Sequence, residues 1–172
     1  LEWLNLNNNK LTNLSIGKNT ADLKQDLHLE AANNQIATFT SPYYSKANVS
    51  YLDLSNNKLS GSSLTVYSWA NLKYLNFANN ELTSVYFGGL YALEEINISN
   101  NKFSSAAFTG FTKLKKVDVS HNNLTSYSFG SAQYELEEVN LGYNKITSID
   151  ITNVAKTPDK FALKKVDVTG NE

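Results

Sequence analysis

A spacing of apolar residues recurs along this chain and constrains its fold more than any other feature. Residues 93–103 place Leu93, Ile96, Ile98 and Phe103 at positions 1, 4, 6 and 11, with Asn101 at position 9. The same spacing returns in residues 114–124, a shift of 21 residues. Alternation around positions 4 and 6 predicts a short strand with one buried face. The fixed period indicates that this strand is one unit of a repeated structure.

The spacing can be placed eight times, in repeats that begin near residues 1, 26, 49, 72, 93, 114, 136 and 163. The second repeat is degenerate, because Asp26 occupies its position 1. An Asn side chain carries both a donor and an acceptor, so it can satisfy backbone groups inside the turn that follows each strand. Position 9 therefore predicts a structural Asn ladder made of Asn9, Asn34, Asn57, Asn80, Asn101, Asn122, Asn144 and Asn171.

This spacing is the L-x-x-L-x-L-x-x-N-x-L signature of leucine-rich repeats. The chain resembles bacterial repeats of the internalin type, especially internalin-J-like arrays, in which a T-x-L-x-L segment follows the Asn turn. Residues 11–16 (LTNLSI) and 82–87 (LTSVYF) match that segment, whereas the Cys that such repeats often carry is absent. The resemblance implies a binding protein at a bacterial cell surface or secreted from the cell, and hence an extracellular or cell-surface location.

We therefore expect a leucine-rich-repeat solenoid, wound as a right-handed superhelix, with a concave parallel sheet of about eight strands. Alternation and β-branching after each Asn predict a mostly extended convex side with little helix. The longer repeats leave room for helical turns at residues 20–26, 67–71 and 153–161, and residues 41–45 are predicted to form a loop.

One array accounts for residues 1–172, because each repeat of a solenoid packs only on its neighbours. Neither end carries an evident polar cap and the first residue is not Met, so we expect a fragment of a longer protein. Such a fragment exposes sheet edges that favour end-to-end self-association. No apolar run approaches the length of a membrane-spanning helix.

Composition and motifs narrow the function classes. All fifteen basic residues are Lys and the formal net charge is −1, so a basic nucleic-acid-binding surface is not expected. His28 and His121 stand apart in the sequence, and no hydrolase, zinc-protease or phosphate-loop motif is present. We expect no catalytic site, cofactor or metal. Asp and Asn at position 5 suit Ca²⁺ in principle, but a hydrogen-bonded polar ladder is the favoured interpretation.

Positions 3, 5 and 7 predict three outward columns on the concave face, across strands about 4.8 Å apart. Column 3 begins with aromatic residues and continues with alternating charges. Column 5 is Asn, Asp or Glu, and column 7 is small or polar. The candidate ligand-binding residues from columns 3 and 5 are Trp3, His28, Tyr51, Asp53, Tyr74, Asn76, Glu95, Asn97, Lys116 and Asp118.

The two halves of column 3 suggest different roles. The run Glu95, Lys116, Glu138 and Lys165, doubled one position earlier by Glu94, Lys115, Glu137 and Lys164, is either an ion ladder satisfied within the chain or the footprint of a charged partner. The aromatic half suits a protein hot spot or a sugar-stacking platform, although strand propensity also favours aromatic residues there. The predicted function is non-enzymatic, adhesin-like protein–protein interaction through the concave face. A glycan-binding module and a structural spacer in a larger adhesin are the alternatives.

Overall fold

The computed structural model describes residues 1–17, 25–41, 48–62, 64–108 and 110–171. Eight strands, one from each repeat, form a single parallel sheet whose spatial order follows the chain. Each repeat makes one coil, and the stacked coils confirm the predicted solenoid with its parallel sheet. The sheet strands are β1 (Trp3–Asn5), β3 (Leu27–Glu30), β5 (Val49–Asp53), β8 (Tyr74–Asn76), β11 (Glu95–Asn97), β12 (Lys116–Asp118), β14 (Glu138–Asn140) and β16 (Lys165–Asp167).

The convex side is mostly extended, as predicted. Its short strands pair in parallel, because alternating apolar residues after the Asn turns again give one buried face. The pairs are β2 (Asn13–Ser15) with β4 (Thr38–Thr40), β6 (Ser60–Gly61) with β9 (Glu81–Leu82), β7 (Leu64–Tyr67) with β10 (Val85–Gly88), and β13 (Ser126–Ser128) with β15 (Ser148–Asp150).

Within the described residues, helix occurs only in the last long repeat. Helix α1 spans Thr152–Lys156 and a 3₁₀ turn spans Pro158–Lys160, within or next to the predicted residues 153–161. Residues 67–71 form no helix: β7 ends at Tyr67 and a turn follows, with the fully buried Trp69 anchoring the chain to the core. Residues 20–24 of the predicted helical turn at 20–26 and residues 42–45 of the predicted loop at 41–45 lie outside the described residues.

Equivalent repeat positions lie side by side across the sheet. Ile96, at position 4, lies opposite Leu75 on one side and Val117 on the other. Positions 4 and 6 point inward and stack into a core that runs along the array. Trp69, Phe77 and other fully buried side chains fill the space between the concave and convex layers. The core therefore fixes which residues of each strand face outward.

The second coil departs from the expected register. Asp26, assigned to position 1 from the sequence, is exposed, and Leu27 is buried in its place opposite Val49. The pairing then shifts by one residue, so that His28 lies opposite Tyr51. The irregularity brings a leucine to the core position and restores the outward columns beyond it.

The Asn ladder joins each coil to the one before it. The Asn80 amide nitrogen donates to the Phe77 carbonyl at 3.1 Å in its own coil, and to the Leu54 carbonyl at 3.0 Å in the preceding coil. Its oxygen accepts the Leu59 N–H, also in the preceding coil, at 2.9 Å. Bonds both within and between coils recur at Asn34, Asn57, Asn101, Asn122, Asn144 and Asn171.

Position 8, just before the ladder, adopts a left-handed backbone conformation in every coil, with φ between 52° and 71°. His121 and Tyr143 hold this conformation in two adjacent coils. The bulky Tyr side chain disfavours it, whereas His adopts it more readily than most residues. Their rings stack with centroids 4.4 Å apart. The Tyr143 ring lies over Gly170, where an added Cβ would approach its Cδ1 to 2.7 Å. The other coils carry Asn8, Asn33, Asn56, Asn79 and Asn100.

Candidate interaction surface on the concave face

Four outward side chains form a stacked aromatic column at position 3, consisting of Trp3, His28, Tyr51 and Tyr74. The His28 and Tyr51 rings are 3.9 Å apart and inclined by 7°, and the Tyr51 and Tyr74 rings are 4.2 Å apart and inclined by 8°. Trp3 tilts against His28 at 5.1 Å and is 64% exposed. Both faces of the Tyr51 ring are thus covered. The column presents mainly ring edges and hydroxyl groups to a partner.

A hydrogen-bonded carboxylate holds His28 within this column. Glu30 Oε1 lies 2.7 Å from His28 Nε2. Glu30 Oε2 accepts from the side-chain amides of Asn5 at 3.1 Å and Asn7 at 2.7 Å. The Glu30 side chain is only 20% exposed. These contacts restrict the imidazole ring and reduce the side-chain freedom that a partner would otherwise have to freeze on binding.

The position-5 column has a structural task that the sequence prediction missed. In seven coils its Asn or Asp oxygen accepts the backbone N–H of position 7, at 2.8–3.1 Å. The preference of Asn and Asp for this bond two residues onward would have revealed it. The second coil carries Glu30 instead, and there Asn7 of the first coil accepts the Ala32 N–H at 2.6 Å. Asp53 and Asp118 also accept from Asn76 and Asn140 in the next coils.

The prediction that position 7 forms a third outward column is wrong. Ala32, Ser55, Ala78, Ser99 and Ser120 are buried, with at most 7% exposure. Their side chains are small and the turn that position 5 caps draws this part of the strand against its neighbours. The accessible concave face therefore has two columns rather than three.

The candidate residues fall into two groups on this face. The strand register makes each of them a lateral neighbour of another, so the ten positions form one continuous surface. Position 3 contributes Trp3, His28, Tyr51, Tyr74, Glu95 and Lys116, and position 5 contributes Asp53, Asn76, Asn97 and Asp118.

Ion pairs between adjacent strands are shorter at position 2 than at position 3. Lys115 bonds Glu94, and Lys164 bonds Glu137, each at 2.8 Å. The lysine hydrogen bond lowers the pKa of each carboxyl below its usual value. At position 3, Lys116 lies 3.8 Å from Glu95. The ion-ladder interpretation therefore describes position 2 better than position 3.

Burial also alters the acidity of the aromatic column. Desolvation raises the pKa of the Tyr51 hydroxyl far above its ordinary value, and the neighbouring Tyr74 hydroxyl reinforces the shift by repulsion and hydrogen bonding. Desolvation likewise raises the pKa of Tyr74. Both hydroxyls remain neutral around pH 7 and can exchange hydrogen bonds with a partner.

A groove of about 260 Å³ crosses the charged half of the concave face. Tyr74 stands at its end, and the outward residues of β11, β12, β14 and β16 line it. In the described part of the chain, no three His, Cys, Asp or Glu side chains are grouped so as to hold a metal ion. The helices found there are too short and too polar to cross a membrane.

Comparison with known families agrees with this geometry. Two models described as leucine rich repeat match the chain, one over residues 47–103 and the other over residues 112–126. No curated protein matches the chain. The matched segments cover coils that lie at the centre of the array, with the same position-9 Asn residues as the coils outside them. In its periodic spacing, its eight-stranded parallel sheet and these matches, the chain is similar to leucine-rich repeat proteins.

Proposed function

We propose that this chain is a non-enzymatic protein-interaction module of an extracellular or cell-surface protein, binding its partner through the concave face. Solenoids of leucine-rich repeats are generally interaction modules, and the family matches support that class. The adhesin-like role and the bacterial surface location rest on the internalin-like sequence spacing.

The stacked aromatic column is the observation that carries the proposal. Aromatic residues dominate binding hot spots because they bury a large area with few rotatable bonds. Here Tyr51 is held between His28 and Tyr74, and Glu30 restrains His28. A partner docking on the column would therefore meet a preorganised surface and lose less conformational entropy on binding.

The same stacking argues against the glycan-binding alternative. A sugar ring packs on the open face of an aromatic ring. Both faces of Tyr51 are already occupied, so within the column only an end ring, such as the 64% exposed Trp3, has a face left for a sugar. The ring edges and hydroxyl groups instead suit the mixed apolar and hydrogen-bonding surface of a protein. For the spacer alternative, the aromatic column would have to be dispensable for adhesion.

The test is an affinity capture from surface-protein extracts of candidate host cells, with the wild type and Tyr51→Ala/Tyr74→Ala run in parallel, and a glycan array probed with both proteins. The proposal is supported if a protein is captured by the wild type and its affinity for the double variant is at least about tenfold lower, since hot-spot truncations cost about 2 kcal/mol or more. The matched control is Tyr86→Ala/Tyr91→Ala, which removes two exposed tyrosines from outside the concave face.

Three outcomes decide between the candidates. Equal loss of binding in both double variants would point to non-specific aromatic adhesion. Capture of a sugar, lost with Tyr51 and Tyr74, would replace the protein partner by a glycan. Identical binding by the wild type and the concave variant would remove the aromatic column from the interaction and leave the spacer interpretation.

A further inference from the structure

We propose that a cavity on the convex side, between the fourth and fifth coils, binds one neutral sugar ring against the free face of Tyr86. The cavity measures about 240 Å³ and is lined mainly by residues 84–87 of one coil and residues 105–108 of the next. It lies on the opposite side of the coils from the concave face, so it does not depend on the proposed function. Pockets for drug-sized ligands measure about 300–1,000 Å³, so this smaller cavity takes one ring and leaves the rest of a glycan outside.

The cavity exists because the fifth coil carries a small side chain at a core position of the convex layer. The residue five positions after the ladder Asn is Val85 in the fourth coil, Ala106 in the fifth and Tyr127 in the sixth. The first, second and seventh coils carry Leu14, Phe39 and Ile149 there. Because Ala106 stands where the other coils have a large apolar side chain, space remains above Ile98 and Phe103, which form the buried apolar floor of the cavity.

One face of the Tyr86 ring is open to this cavity. The other face is covered by Tyr67 of the third coil, with ring centroids 5.8 Å apart and an angle of 25° between the rings. Tyr67 can lie there because Gly88 has no Cβ, which would come within 2.7 Å of Tyr67 Cδ2. On the side of the fifth coil, the residue one repeat later is Ala107, whose methyl group is too small to cover a ring. Tyr86 is 55% exposed, so a ligand can reach its free face from solvent.

Polar groups without a protein partner surround the apolar floor. In the neighbouring coils the corresponding residues pair as β7 with β10 and as β13 with β15. Within the described part of the chain, no hydrogen bond joins the backbone of residues 104–107 to either neighbouring coil, and the hydroxyl groups of Ser84 and Ser105 make none. Such groups need water or a ligand as a partner. Sugar hydroxyl groups both donate and accept hydrogen bonds, so they can take the place of that water.

The lining favours a neutral sugar over an acidic one. None of the described residues that line the cavity carries a charge. A carboxylate that entered it would lose hydration without a cation to compensate. A neutral pyranose ring instead presents an apolar C–H face to Tyr86 and hydroxyl groups at its edge, which match the aromatic wall and the polar groups around it. The stacking that closes the inner rings of the concave column to a sugar is absent on this side of Tyr86.

The experiment titrates the folded chain with methyl β-D-galactopyranoside, whose C–H groups cluster on one face of the ring, and follows backbone amide shifts by NMR. The comparison probes are the matching methyl galactopyranosiduronate, which adds a carboxylate to the same ring, and glycerol, which has hydroxyl groups but no ring. We expect the galactoside to shift amides clustered on β10 and on residues 104–107. The uronate and glycerol should each bind at least about fivefold more weakly.

Variants at the ring and beside it test the stacking. Tyr86→Ala should weaken galactoside binding at least about fivefold because it removes the ring face, whereas Tyr86→Phe should retain binding. Ala107→Tyr should also abolish binding, because it places a second ring against the free face of Tyr86. The matched control Tyr91→Ala removes a tyrosine that is 70% exposed and does not line the cavity, so it should leave binding unchanged. Urea unfolding of each variant checks that the chain is folded.

The absence of galactoside shifts, shifts away from the cavity, unchanged binding by Tyr86→Ala or equal binding of the uronate would overturn the inference. The glycan array, probed also with Tyr86→Ala, separates the two faces. A neutral glycan that Tyr51→Ala/Tyr74→Ala still binds and Tyr86→Ala loses supports the convex site. A glycan lost only with Tyr51 and Tyr74 would refute it and place sugar binding on the concave face. Galactoside binding without any captured protein would refute the aromatic interface alone.

Discussion

Replacing His121 and Tyr143 together by Asn is expected to make this protein more stable. Both residues hold a left-handed backbone conformation, with φ of 53° and 54°. Five other coils place Asn at the equivalent position with nearly the same φ. Asn accepts this conformation readily because its short polar side chain bonds locally, whereas a larger side chain crowds the following carbonyl.

The expected magnitude follows from two opposing terms. Relief of the left-handed strain gains about 1 kcal/mol at Tyr143 and about 0.5 kcal/mol at His121, because His adopts this conformation more readily than most residues. Loss of the ring stack costs about 0.5–1.5 kcal/mol, and Tyr143 is already 55% exposed, so little further burial is lost. The double variant should therefore gain up to about 1 kcal/mol in free energy of unfolding. Each single variant forfeits the whole stack. Tyr143→Asn should therefore be near neutral, and His121→Asn, which relieves less strain, should be slightly destabilised.

Urea and thermal unfolding of the wild type, both single variants and the double variant measure these terms. The double variant should melt about 2–4 °C higher for each kcal/mol gained, as expected for a chain of this size. Asn79→Tyr is the reverse control: it places an aromatic side chain in the same conformation between Asn56 and Asn100 and should lose about 1 kcal/mol. A double variant that is less stable than the wild type by more than about 1 kcal/mol would refute the reasoning, because the ring stack would then outweigh the backbone strain.

Three further predictions address the ladder, the ion pairs and the outer edge of the sheet. Asn122→Ala should lower the free energy of unfolding by about 3 kcal/mol or more, because it leaves backbone groups in two coils without hydrogen-bond partners. In urea unfolding, Asn9→Ala should lower this free energy clearly less, because Asn9 bonds only within its own coil. Equal losses would contradict the ladder argument. Lys164 lowers the folded-state pKa of Glu137, so their pairing stabilises the fold at pH values above the unfolded pKa of about 4.3, and this stabilisation is lost as the pH falls through the lower folded value. The unfolding midpoints of the wild type and Glu137→Gln should therefore differ at pH 7 and converge by about pH 3. A difference that is unchanged at low pH would exclude this origin. The edge strand β16 and the 44% exposed Val168 favour end-to-end association with a second copy; light scattering should show a mass that rises with concentration and falls with Val168→Lys, whereas a constant monomer would rule this out.

The sheet and its outward columns follow from the sequence because the buried residues fix them. Inward residues at positions 4 and 6 of each coil determine which residues are neighbours, so the adjacency of Tyr51 and Tyr74 is predictable from spacing alone. The shift at Leu27 is not predictable in this way, because it depends on which of two adjacent residues fills the core.

The site itself was predicted less completely than the fold. Spacing identifies neighbours but not side-chain rotamers, so the mutual stacking of the rings and the bond from Glu30 to His28 emerge only from the structure. The burial of position 7, seen at Ser55 and Ser99, also depends on how tightly adjacent coils approach. The backbone-capping role of position 5 was also missed, although the run of Asn and Asp carries the signal for it.

The uniformity of the Asn ladder bears on how such an array can change by recombination. Deleting residues 102–122 would join Asn101 directly to residue 123 and keep the period, so every remaining coil would retain its ladder partners. The same deletion would remove Lys116 and place Glu95 beside Glu138, bringing like charges together. Losing two coils instead would bring Glu95 beside Lys165 and restore opposite charges. We therefore expect the Asn ladder to tolerate gain or loss of single repeats, and the surface charges to favour gain or loss in pairs.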